Sequence, residues 1–263
     1  MKLSCIPICL CDDILTGKMP LSEWIGLAAD LGLDGIEMYR DFPRVAGDRT
    51  LEQLADEVDQ AGLEVSMYTS YGELAAPSEA QRRKQAQSLS ADVDTAVALR
   101  THIVRVTAGS WPEGVSREDA LRNVADCLKR SLDYAEHKRV MLALEDHPQI
   151  GTSVGDFTGI LDLVNDHRLK VNLDTSNPML SGDSPVELAQ RVKERVAHVH
   201  ASDRDEQLEH AVSGEGCVPF REIFSVLKSA SFDGWISLEA GGTKGREGIS
   251  KGLRHIRDAW ESA

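Results

Sequence analysis

Apolar residues recur along this chain in two alternating rhythms. In the first they fall three and four residues apart, as on one face of a helix: Leu21, Trp24, Ile25, Ala28 and Leu31 form the first such set. In the second, a short run is almost wholly apolar, as in Val140-Met141-Leu142-Ala143-Leu144-Glu145. A glycine or another turn separates each helical set from the run after it. Gly32 suits the end of the first helix, and Gly35-Ile36-Glu37-Met38 follows as a strand. Leu51, Leu54, Ala55 and Val58 open the next round on one helical face, with Gly62 behind them. The same reading predicts further helices over 78–99, 117–136, 156–165, 185–194, 220–229 and 248–260. Strands are predicted at 3–8, 35–38, 63–68, 102–107, 140–145, 169–174, 196–200 and 234–239.

Eight strands thus alternate with eight helical runs. Strict alternation with short connections makes the strands parallel. Eight units in 263 residues match an α/β fold of the (β/α)8 TIM-barrel type. A doubly wound open sheet fits less well, because it usually has fewer strands and the first turn lacks Gly-x-Gly-x-x-Gly. No linker or low-complexity stretch divides the chain, so residues 1–263 read as a single TIM-barrel domain.

Charge narrows the partners. Lysine and arginine total 29 against 43 acidic residues, a net charge of −14 that repels phosphate backbones and anionic lipid. Nucleic acid and membrane are therefore not expected partners, and no apolar run approaches the roughly 20 residues that span a bilayer. The five cysteines, Cys5, Cys9, Cys11, Cys127 and Cys217, form no disulfide framework and suit a reducing cytoplasm. The apolar start is short, is interrupted by Pro7 and is closed by Asp12-Asp13, so it reads as a strand rather than a secretory signal. Cys9 and Cys11 read as small buried hydrophobes at that strand's end, since no second cysteine pair completes a metal motif.

A barrel of this type carries its active site at the C-terminal ends of the strands. Four consecutive predicted strands end in ionisable residues: Glu145, Asp174, His200 and Glu239. Three carboxylates and an imidazole at one depth repel one another unless a cation joins them. Oxygen-rich donors with one nitrogen suit Mn²⁺ or Mg²⁺ first, then Co²⁺ or Zn²⁺. A divalent ion against three carboxylates leaves about one negative charge, which favours a neutral, chelating substrate.

Several segments together carry a family resemblance. They are Leu142-Ala143-Leu144-Glu145-Asp146-His147, Val171-Asn172-Leu173-Asp174, His198-Val199-His200-Ala201-Ser202-Asp203, Gly214-Glu215-Gly216 and Gly234-Trp235-Ile236-Ser237-Leu238-Glu239. With Gly32-Leu33-Asp34-Gly35-Ile36-Glu37 near the start, they resemble the xylose isomerase-like TIM-barrel superfamily, in its sugar phosphate isomerase/epimerase branch. The resemblance covers nearly the whole chain. It implies that Glu145, Asp174, His200 and Glu239 hold the metal, and that Glu145 and Glu239 are also the acid/base pair. Ketose 3-epimerase-like members place a His three residues after the Asp and an Arg six after the ligand His; here those positions hold Asn177 and Glu206. Asn177, and Arg204 from a shifted position, become the candidates for substrate contact. The missing His and the acidic balance argue against the endonuclease IV-like branch.

The chemistry expected is proton transfer next to a metal-chelated carbonyl. Return of the proton from the opposite face gives an epimerase, return to the neighbouring carbon an isomerase, and loss of a β-hydroxyl a dehydratase. The residues alone do not choose among these outcomes; with the resemblance, the reading adopted is an isomerase or epimerase of sugars or sugar phosphates. The alternative is a dehydratase of a cyclic polyol ketone or a dehydroshikimate-like compound. A metal-holding binding protein, and self-assembly as a homo-oligomer, stay open. Glu37, His147, His198 and Asp203 are further substrate-contact candidates, with ion-paired or turn roles as the plainer readings. Arg105, inside a strand, calls for a carboxylate partner or a ligand. Gly241-Gly242-Thr243-Lys244-Gly245-Arg246 offers a weak phosphate-loop candidate, and the loop holding His210 and Gly214-Glu215-Gly216 a candidate lid. No inner strand-end lysine suits a Schiff-base aldolase, and no Gly-x-Ser-x-Gly elbow occurs.

Overall fold

The computed structural model describes residues 1–242 and 245–263. Strands β1 (Lys2–Ile6), β2 (Gly35–Tyr39), β3 (Glu64–Thr69), β4 (Ile103–Val106), β5 (Met141–Glu145), β6 (Lys170–Asp174), β7 (Val196–Ala201) and β10 (Trp235–Glu239) form one sheet. Its order is β1-β10-β7-β6-β5-β4-β3-β2 with every ladder parallel, a nearly closed TIM barrel. The seam lies between β1 and β2. There the Asp34 amide donates to the Leu3 carbonyl at 2.9 Å, and the Leu3 amide donates to Asp34 Oδ2 at 2.8 Å. β8 (Asp203–Arg204) and β9 (His210–Ala211) form a separate antiparallel pair above β7.

Among the described residues the helices are α1 (Cys11–Leu15), α2 (Leu21–Asp30), α3 (Leu51–Gln60), α4 (Glu79–Ala98), α5 (Arg117–His137), α6 (Val154–Val164), α7 (Pro185–Val192), α8 (Phe220–Ser229) and α9 (Gly245–Glu261). Their starts are written in the sequence. Thr50, Ser78, Ser116, Ser153 and Ser184 each accept, on the side-chain oxygen, the amide of the residue three further on. Each such cap stabilises its helix by about 1 kcal/mol. None of the described helices is long and apolar enough to cross a membrane.

The apolar side chains divide into two bodies. The large one lies between barrel and helices and includes Trp24, Phe42, Phe157 and Phe224. The small one, Met67, Ile103 and Ala143 with Met141, Ala197 and Trp235 against it, is separate from that layer. Ile103, Met141 and Trp235 each begin their strands, so this small cluster lies toward the N-terminal end of the barrel. Polar residues occupy the other end.

Most strand boundaries shift by one residue from expectation, and two of the shifts bear on the site. β1 stops at Ile6 instead of residue 8: Pro7 has no amide to continue a ladder, and Ile8–Leu10 turns as 3₁₀ helix into α1. Cys9 and Cys11 therefore lie beyond the strand, half-buried against the main core. β2 runs one residue beyond the expected 38, to Tyr39, so Glu37 is the middle of its five residues.

Candidate metal centre

Strand register brings the four strand-end residues together. Asp174 pairs with His200 across β6 and β7, and His200 pairs with Ser237, two residues before Glu239, across β7 and β10. Glu145 stands opposite Asn172, two residues before Asp174. One donor atom from each of Glu145, Asp174, His200 and Glu239 lies within 4.8 Å of all the others. Glu145, Asp174 and His200 are each 1% exposed. The Glu239 side chain, at 19%, opens toward solvent.

Each donor is held differently. Arg105 Nη1 donates to Glu145 Oε2 at 3.0 Å, and Asn172 Nδ2 donates to Glu145 Oε1 at 3.0 Å. Arg105 is itself fixed by two hydrogen bonds of 3.1 Å to the Ser70 carbonyl, and its guanidinium stacks on Tyr71 at 4.2 Å. Asp174 Oδ1 accepts the amides of Ser176 and Asn177, each at 2.7 Å, while the Ser202 hydroxyl reaches both its oxygens. His200 Nδ1 lies 2.6 Å from Glu145 Oε1 and 3.5 Å from Glu239 Oε2. His200 Nε2 lies 3.0 Å from Glu37 Oε1.

The electrostatics separate the two glutamates. Burial alone would raise the Glu145 carboxyl, but Arg105 and His200 outweigh it and hold it well below the usual range. Burial, reinforced by the nearby Asp174 carboxylate, pushes Glu239 up to about 8. His200 is raised well above its ordinary value: the Glu37 and Glu145 carboxylates overcome its burial. The carboxylates of this cluster thus favour the protonated forms of His200 and Glu239. The donor set fits a divalent cation, and His200 Nδ1 is buried with no hydrogen-bond partner of acceptable geometry among the described residues. Bound there, the ion would replace those protons.

The other candidates fall into distinct places. Glu37 is completely buried, with its carboxylate against His200 Nε2. His198 is also completely buried; its Nδ1 donates to Asn172 Oδ1 at 2.8 Å, and burial pulls its imidazole down to about 3. His147 is half-buried, edge-on to the exposed Tyr71 at 5.7 Å between ring centres. Asn177 Oδ1 accepts from Arg204 Nη2 at 3.3 Å, and the same nitrogen lies 3.1 Å from His210 Nε2.

Asp203 is spent on the chain itself. Its Oδ2 accepts the amides of Gly214 and Gly216 at 2.8 and 3.0 Å, and its Oδ1 those of Arg204 and Val218 at 2.9 and 3.1 Å. That pins the candidate lid to β8, and glycine at 216 is required because a Cβ there would collide with Asp203. Arg105 takes the carboxylate partner expected of it. In the phosphate-loop candidate, Thr243 and Lys244 lie outside the described residues.

Two residues of the site were missed in the sequence. Asn172 carried a signal: a lone amide in an apolar strand, two residues before Asp174 and so on the same face. Asp146 carried none, because a residue just past a strand end has no face fixed by alternation. Its Oδ1 accepts the Asp174 amide at 2.8 Å from a completely buried position.

Comparisons with known proteins agree with this architecture. A family model described as xylose isomerase-like TIM barrel matches residues 25–259, and the chain belongs to that family. An inosose dehydratase of Clostridium beijerinckii is 25% identical over 142 residues, 47% of this chain and 48% of the relative. The chain thus spans about half the length of that curated relative. A solved D-tagatose 3-epimerase-like protein superposes with a TM-score of 0.82 at 21% identity, covering 99% of this chain and 97% of that one. The IolI protein with a bound zinc atom gives 0.81 at 18%, covering 99% and 98%. At these identities the structural likeness speaks to the fold.

Proposed function

We propose that this chain, as a member of the xylose isomerase-like TIM-barrel family, is a divalent-metal-dependent isomerase or epimerase of sugars or sugar phosphates, working in the cytoplasm. The observation that carries the reading is the pair Glu145 and Glu239, both facing His200 Nδ1, in one cluster with Asp174. Glu145, Asp174, His200 and Glu239 would hold the ion, Mn²⁺ or Mg²⁺ in preference to Co²⁺ or Zn²⁺. The ion supplies Lewis-acid polarisation of a carbonyl oxygen and its neighbouring hydroxyl.

The chain's own residues divide the proton work. Arg105 and Asn172 keep the Glu145 carboxylate ionised and oriented, ready to accept a proton from carbon. Glu239, more exposed and pushed up to about 8 by burial and Asp174 before an ion binds, is the weaker acid of the two and would be the group that returns the proton. Two carboxyl groups driven apart by their surroundings make an acid and a base from the same residue type. His147, Asn177 and Arg204 are the residues we assign to substrate contact; His198 and Glu37 lie too deep, and Asp203 is occupied by the loop.

The dehydratase alternative is favoured by one finding, the match to inosose dehydratases, and by Asn177 and Glu206 at the two positions where 3-epimerase-like members hold His and Arg. The same proton abstraction followed by departure of a β-hydroxyl would serve it. The test is proton NMR in D₂O. Protein stripped and reloaded with Mn²⁺ is given ketoses, aldoses, their phosphates and cyclic polyol ketones, and the metal is chelated before spectra are recorded. Deuterium entering carbon with inversion, or with a shifted carbonyl, is expected. Water loss without exchange into recovered substrate would favour the dehydratase instead.

A further inference from the structure

His200 has two nitrogens, and a metal centre needs one of them. Its Nδ1 faces Glu145 and Glu239 at 2.6 and 3.5 Å. On the other edge of the ring, Nε2 lies 3.0 Å from Glu37 Oε1 and 3.2 Å from Oε2. Glu37 has no exposure, comes from the middle of β2, and takes the Thr69 hydroxyl of β3 on its Oε2. An ionised carboxylate only accepts hydrogen bonds, so Nε2 must carry the hydrogen. A neutral imidazole has one N–H, so Nδ1 then keeps its lone pair for the cation.

We infer that Glu37 is a positioning residue: it commits His200 to bind the metal through Nδ1 and fixes the plane of the ring. The same layer reaches the second ligand. His198 Nδ1 bonds Asn172 Oδ1 at 2.8 Å, which turns the amide so that Nδ2 donates to Glu145 Oε1 at 3.0 Å. His198 Nε2 in turn lies 3.8 Å from Glu37 Oε1. Glu37, His198 and Asn172 thus form a buried arc under the two innermost donors and touch neither solvent nor substrate. A partner of this kind typically contributes 10–100-fold to metal affinity. The inference rests on the metal-centre reading and not on the reaction assigned to it.

The experiment compares wild type with Glu37→Leu and Glu37→Gln by Mn²⁺ equilibrium dialysis, with far-UV circular dichroism as the fold check. Zn²⁺-loaded, ¹⁵N-histidine-labelled wild type is also examined by long-range ¹H–¹⁵N NMR. We expect about a 10–100-fold weaker Mn²⁺ affinity in Glu37→Leu. Glu37→Gln, whose amide oxygen still accepts from Nε2–H, should recover most of it. The wild-type spectrum should show His200 metal-bound at Nδ1 and protonated at Nε2. Unchanged affinity in Glu37→Leu, or coordination through Nε2, would overturn the inference. If Glu37→Leu does not fold, the wild-type spectrum decides by itself. Wild type that binds no Mn²⁺ would overturn the metal centre as well, whereas absence of carbon exchange would touch only the reaction.

Discussion

Glu145 and Glu239 are the same residue at the same place, the last position of a barrel strand, yet their surroundings oppose each other. Glu145 is 1% exposed and gripped by Arg105, Asn172 and His200; Glu239 keeps a side chain 19% exposed, and its largest influences are burial and the repulsion of Asp174. The contrast shows how one fold drives two carboxyl groups of the same chemistry apart, one held down and one pushed up. A cation beside a carboxylate fixes its charge. A second carboxylate beside it invites a proton or a metal.

The strongest way to break this comparison is to remove each carboxylate in turn. Glu145→Gln and Glu239→Gln, loaded at saturating Mn²⁺, should each lose about 10²–10⁴-fold in carbon-proton exchange, read by NMR in D₂O. Equal retention of exchange in either variant would remove that residue from the proton path.

Next comes the grip on Glu145. Arg105→Leu leaves a buried carboxylate without its cation, and should cost about 3–5 kcal/mol in urea unfolding of the metal-free protein. Disabling Asp203 tests a tether rather than a catalyst. Asp203→Ala leaves amides of the loop after β9 without acceptors and should cost about 1–3 kcal/mol, with that loop newly open to proteolysis.

pH sharpens the contrast further. Glu37, held down to about 2 against its burial by His200 and His198, contributes stability present above its ordinary value of 4.5 and lost as pH falls through about 2. Glu239 has the opposite sign. Its folded carboxyl, raised from 4.5 to about 8, binds a proton the unfolded chain has released, so metal-free protein loses stability as pH rises across that window. His198, lowered from 6.5 to about 3, opposes this below pH 6.5, so the melting temperature of stripped protein should fall between about pH 6.5 and 8, and saturating Mn²⁺ should abolish the fall. The smallest effect belongs to the exposed Arg191–Glu187 pair on α7, where Arg191→Ala should change stability by less than about 0.5 kcal/mol.

The barrel was legible because each of its units repeats the same physics. The 3.6-residue period of the helices, the turns that close them and the apolar strand runs located eight units within a few residues. The strand-end positions of Glu145, Asp174, His200 and Glu239 followed from the same pattern, because parallel register carries strand ends to a common rim. What sequence could not supply were contacts between residues on different strands. Glu37 under His200 joins positions 163 apart, and nothing local to Gly35-Ile36-Glu37-Met38 announces it. The pairing of Asp203 with amides 11 and 13 residues on depends on a loop whose path no period describes. Pro7 was visible, but its power to end β1 at Ile6 was underestimated because the apolar run continued beyond it.

The central claim is that Glu145, Asp174, His200 and Glu239 share one divalent ion. The direct test is titration of metal-stripped protein with Mn²⁺, following free Mn²⁺ by EPR, in wild type and Asp174→Asn. One ion per chain in wild type, with affinity lost in Asp174→Asn, is the result predicted. Binding of equal strength in the two proteins, or no binding in wild type, would contradict it.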